Sequence, residues 1–197
     1  VTVAATNGIS VSAGGIKLSG GKLRVEKGGV GATKEVVTSN TEIAGSIEVN
    51  GGALYAENSN FSMKKFTVTG GTVRTGSMLP DTVNISGGTV QTRYILAKEM
   101  TLSNATLTIR EPVNKFESGT LYTSPALWLT KLTVNSGTLD VAWDWGEIEP
   151  TVFPMNTEDG FPTPLVKIWG DGREATFNGG ISSFDTGCAG NIALKLT

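Results

Sequence analysis

The chain has 197 residues with 16 basic and 18 acidic side chains scattered along it, and no basic stripe of the kind that neutralises phosphates, so nucleic acid is not an expected partner. It contains no His at all, which removes the commonest general base, triad member and zinc ligand; catalysis would have to run on carboxylates, Tyr, Lys or Ser. The single Cys188 rules out an intrachain disulfide framework and is read as a small buried hydrophobe, and no apolar run approaches the roughly 18 residues of a membrane span.

The chain opens on Val1 rather than Met, which leads us to expect a mature form or an excised domain. From Ile16 one phrase, strand, Gly-Gly, strand, recurs. The copies are Ile16-Lys-Leu18-Ser-Gly20-Gly21-Lys-Leu23, Ile47-Glu-Val49-Asn-Gly51-Gly52-Ala-Leu54, Phe66-Thr-Val68-Thr-Gly70-Gly71-Thr-Val73 and Val83-Asn-Ile85-Ser-Gly87-Gly88-Thr-Val90. Two more follow as Met100-Thr-Leu102-Ser-Asn104-Ala105-Thr-Leu107 and Leu132-Thr-Val134-Asn-Ser136-Gly137-Thr-Leu139, with a weaker one at Ala175-Thr-Phe177-Asn-Gly179-Gly180. Apolar side chains alternate within each copy, which predicts strands with one buried and one wet face.

Gly-Gly between two short strands is either a hairpin turn that needs positive φ or a corner at which no Cβ can be fitted; Gly87 is the position where we expect that constraint. Spacing separates the two. Ile47, Phe66, Val83 and Met100 head successive copies at steps of 19, 17 and 17 residues, and a third apolar piece such as Met78-Leu79 or Tyr94-Ile95-Leu96 lies between copies. Three short strands per 17–19 residues describe one coil of a single-stranded parallel β-helix, a β-solenoid; a β-sandwich is the alternative. Longer steps, 31 from Ile16, 32 from Met100 and 43 from Leu132, mark either extra degraded coils or coils that carry loops, and Phe116-Glu-Ser118-Gly119-Thr-Leu121 reads as one degraded coil.

The phrase around Val83–Val90 resembles the repeats of right-handed parallel β-helix proteins of the pectin-lyase-like type, especially bacterial cell-surface and adhesin-like members, and the likeness covers residues 9–197 loosely. Such a resemblance implies a shape more than an activity, because enzymes, adhesins and phage spikes share it. Where catalytic members use His or paired Asp on a coil face, this chain has no His and its repeats hold no such Asp pair.

Stacked copies predict two apolar core columns, Leu18, Val49, Val68, Ile85, Leu102, Val134 and Phe177 in one and Leu23, Leu54, Val73, Val90, Leu107 and Leu139 in the other. The outward column is rich in hydroxyls and amides, with Thr67, Asn84, Thr101, Thr133 and Thr176. That face brings an ice-binding solenoid into view, although Lys17, Glu48 and Asn84 break its uniformity.

Composition changes after about residue 124. All four Trp lie between Trp128 and Trp169, and four of the seven Pro lie between Pro150 and Pro164. Residues 142–164 therefore read as a Trp- and Pro-rich loop insertion in what is otherwise a single domain spanning 1–197. Within it Trp143 and Trp145 share a parity and are flanked by Asp140, Asp144 and Glu147, so rings for sugar faces and carboxylates for hydroxyls converge there. Those five residues are the candidate glycan-binding site; the competing role for the Trp residues is to cap the open end of the core. No catalytic residue, metal or cofactor is expected. The functional expectation is a non-enzymatic extracellular or cell-surface β-helix module, adhesin-like, whose partner is a glycan or a host or cell-surface ligand, with a polysaccharide-active protein as the alternative.

Overall fold

A computed structural model of the chain describes residues 2–3, 8–10, 15–25, 29–31, 45–57, 60–112, 114–115, 121–122, 125–144, 166–178 and 194–196. The described elements are strands. They form a seven-stranded and a thirteen-stranded parallel sheet and one two-stranded antiparallel piece. Parallel pairing excludes the hairpin meander, since neighbours joined by a two-residue turn must run antiparallel.

Three rows of strands repeat in register. In the larger sheet Leu18, Val49, Val68, Ile85, Leu102, Val134 and Phe177 pair in succession, the first of the two columns read from the sequence. In the seven-stranded sheet Leu23, Leu54, Val73, Val90, Leu107 and Leu139 pair in the same manner. The third apolar pieces make the remaining row, with Phe61, Met78, Ile95, Leu127, Val166 and Leu194 paired in turn and lying in the larger sheet. Inward members of these rows close into one core. Val68, Val73, Ile85, Val90, Leu102 and Leu107 are fully buried, and Phe61 meets Phe66 edge-on at 6.5 Å within it. Phe177, in the weak last copy, is 39 % exposed.

The long steps are copies that carry insertions. Ile16 pairs directly with Ile47, Met100 with Leu132, and Leu132 with Ala175, so no strand layer intervenes. The segment read as a degraded coil around Phe116–Leu121 is corrected accordingly: Leu121–Tyr122 pairs antiparallel with Asn114–Lys115 and joins neither large sheet. Glu117, Ser118 and Gly119 offer no apolar alternation that could extend a row, and residues 116–120 themselves lie outside the described residues.

The Gly-Gly steps are the corners at which the chain passes from the larger sheet to the smaller. Positive φ falls on the second glycine rather than on Gly87: Gly88 has φ 78°, and a Cβ there would overlap the carbonyl of Gly71 in the preceding copy. Gly87 is required for a different reason, since its Cβ would run into the Thr69 carbonyl. In the next copy the constraint moves one residue back, onto Asn104 at φ 50°, a conformation Asn tolerates better than other side chains do.

Candidate functional site

Gly137–Asp144 is the last strand of the seven-stranded sheet and pairs residue for residue with Ala105–Pro112. The insertion drawn from residue 142 therefore starts as strand, and residues 145–165 lie outside the described residues. Alternation points Leu139, Val141 and Trp143 inward. Trp143 is only 8 % exposed and belongs to the core cluster, so little of its indole is open to solvent. Asp140 has the opposite parity and holds Arg110 in a bidentate pair, Nη1 to Oδ1 at 2.9 Å and Nη2 to Oδ2 at 2.5 Å. Asp144 is exposed at the strand's end, while Trp145 and Glu147 are among the undescribed residues. Of the five candidate residues the structure thus places three on one strand, with one ring inside the core and two carboxylates outside it.

Asp144 borders a cleft of about 220 Å³, and Asp140 reaches it only through its partner Arg110. The cleft walls carry Arg74, Gln91, Arg93 and Arg110 together with Glu57, Pro112 and Asp144, and the buried Thr75 and Thr92 complete the lining. The site arises from register. Arg74 lies beside Gln91, and Thr108, next to Gln91, lies beside Asp140, so consecutive copies stack their outward polar residues on one face. Arg74 sits over the Tyr55 ring at 5.8 Å.

Beside this cleft a carboxyl is buried. Glu111 occupies an inward position directly across from Trp143 and is 9 % exposed, and its Oε2 has no hydrogen-bond partner. Loss of water pushes its pKa up from 4.5 to about 7, and the Arg93 guanidinium only partly opposes that. A neutral Glu111 leaves Arg93 without a negative partner, and among the described residues Arg93 forms no ion pair.

A second cluster, on the larger sheet, is one that the sequence reading does not single out. Trp128 lies on the outer face beside Leu96 on one side and Lys167 on the other. Trp169 follows the strand Val166–Ile168 and is 51 % exposed; it meets Trp128 edge-on at 6.5 Å. The Lys167 ammonium sits 4.8 Å from the Trp128 ring centre and 4.5 Å from that of Trp169. Part of the signal is legible, because Leu127-Trp128-Leu129 alternates with the Trp on the wet parity, but the neighbouring ring arrives from 41 residues further along the chain.

Just beyond the outward column of Thr67 and Thr101, the hydroxyls and amides that follow each strand bond one another along the stack. Thr69 donates to Asn50 at 2.9 Å, Asn135 to Ser103 at 3.0 Å, Asn178 to Asn135 at 2.8 Å and Ser136 to Asn104 at 2.9 Å. Lys17 and Glu48 in the adjoining column are 3.5 Å apart as an ion pair. Such side-chain ladders brace neighbouring strands. Among the described residues no group of three or more Asp, Glu, Cys or His lies together as a metal would need, and no helix is long and apolar enough to cross a membrane.

No family model matches the chain, and no curated protein or solved structure matches it either.

Proposed function

We propose that the chain is a β-solenoid, one polypeptide wound as a single-stranded parallel β-helix of the pectin-lyase-like kind, acting as a non-enzymatic extracellular module of a cell-surface or adhesin-like protein. The observation that carries this reading is the register: three rows hold their pairing through insertions of a dozen residues and more, which is how a scaffold built to present surface behaves. An outer face of mutually bonded hydroxyls and amides supports it, since such a face stays wet without needing charge. Small-angle scattering tests the shape, for which an elongated rod is expected and a compact globule is not. Incubation with a panel of polysaccharides tests the rest; retention without new reducing ends fits the module, whereas steady release of reducing ends overturns the non-enzymatic reading.

A second reading is glycan binding, and the surface pair of half-buried Trp128 and exposed Trp169 favours it. Flat rings at a sheet surface stack on sugar faces, and the Lys167 cation between them adds a donor for hydroxyls. The site would then lie on the larger sheet rather than at Trp143, whose ring is enclosed. Replacing both Trp128 and Trp169 by Ala should abolish retention on a glycan array, each ring contributing about 1 kcal/mol. Unchanged retention by the double variant would remove this site.

A further inference from the structure

The cleft on the seven-stranded sheet combines three features that a purely structural surface has no need of. Its guanidiniums outnumber its carboxylates, with Arg74, Arg93 and Arg110 against Glu57 and Asp144. Arg110 is committed to Asp140, but the carboxyl beside Arg93 is Glu111, which burial keeps largely protonated in mildly acidic solution, and among the described residues Arg93 forms no ion pair. Thr75, which lines the cleft and is 4 % exposed, has an Oγ1 with no hydrogen-bond partner. A buried polar atom left unpaired is costly, and in native proteins it commonly awaits a water, an ion or a ligand.

We propose that this cleft binds a hydroxylated carboxylic acid of sugar-acid size, with Arg93 taking the ligand's carboxylate. Guanidinium and carboxylate match in geometry, and the Arg110–Asp140 pair at the cleft's edge shows the same bidentate match within the fold. The remaining lining suits hydroxyl groups. Gln91 both donates and accepts, Asp144 accepts, and a hydroxyl entering the cleft supplies the partner that Thr75 Oγ1 lacks. A volume of about 220 Å³ admits one such molecule and not a folded chain. The site is independent of the Trp128–Trp169 pair, which belongs to the other sheet, so either can fail alone.

Calorimetric titration of the full chain at pH 6 and low salt tests the proposal, with gluconate, sorbitol and acetate as separate probes. At that pH the probe's carboxylate is ionised while Glu111 is still largely protonated. Gluconate should bind, and sorbitol and acetate should each bind at least about tenfold more weakly, since each lacks one half of the recognised chemistry. Arg93→Gln, a change at an exposed position, should weaken gluconate about tenfold without moving the melting temperature. Lys98→Gln, which removes an exposed cation away from the cleft, should leave gluconate binding unchanged. The proposal is overturned if gluconate does not bind, if it binds no better than sorbitol or acetate, or if Arg93→Gln and Lys98→Gln weaken it equally.

Discussion

At the scale of single residues, Glu111 carries the clearest consequence. Its pKa is raised by burial, against the smaller pull of Arg93, to about 7, so between about pH 4.5 and 7 the folded chain holds a proton that the unfolded chain has released. Stability must therefore be highest at the acid end of that window, fall as pH rises through it, and level off above. A tenfold difference in proton affinity is worth roughly 1.4 kcal/mol, and residual solvent screens the site, so we expect a loss of about 2 kcal/mol. Glu111→Gln keeps the shape and removes the titration. Urea denaturation from pH 4.5 to 8 should show the slope in the parent and a nearly flat line in the variant; parallel slopes would place the proton elsewhere. Gly88 is the second such position. A side chain there meets both an unfavourable φ and the Gly71 carbonyl, so Gly88→Ala should lower stability by about 1–3 kcal/mol, whereas Asn104→Gly should change a thermal melt little.

Elements show how a period of two becomes a wall. In the strand Ser77–Ile85, Val83 and Ile85 are fully buried while Asn84 between them is only half-buried. Ile85→Asp would place an unpaired carboxylate between Val68 and Leu102 and should prevent folding, a penalty of several kcal/mol; Asn84→Asp should be nearly silent. Far-UV circular dichroism on the two variants checks this, and equal damage from both would refute the alternation. Parity is readable here because every second residue is apolar. The same rule corrects the reading of Trp143. A loop would leave the Trp143 and Trp145 rings on a free side, yet Leu139, Val141 and Trp143 continue the buried parity of the strand and bring the Trp143 indole into the core.

For the molecule as a whole, the rows bypass the insertions. Ile95 pairs with Leu127 and Leu102 with Val134 although 32 residues separate each pair, and the antiparallel piece Asn114–Lys115 with Leu121–Tyr122 stands outside both large sheets. Deleting residues 114–122 and closing the gap with Gly-Ser should therefore leave the melting temperature within a few degrees of the parent, because shortening a loop changes closure entropy only logarithmically. A collapse of the melt would show that the piece supports the rows. Because the buried side chains form one continuous cluster, unfolding of the parent should also be a single transition rather than a series.

By itself the sequence determined the strands, their buried parity, both apolar columns and the step between full copies, because each is written locally in alternation and in the repeated Gly-Gly phrase. Only the tertiary structure decided which residues meet across copies. Pairing offsets of 17, 32 and 43 residues set Arg74 beside Gln91, Glu111 across from Trp143 and Leu132 beside Ala175, and they join Trp128 to Trp169 on one surface. Neither the cleft nor the Trp128–Trp169 pair has a contiguous signature. Each comes from stacking, and stacking brings together side chains that the chain itself holds far apart.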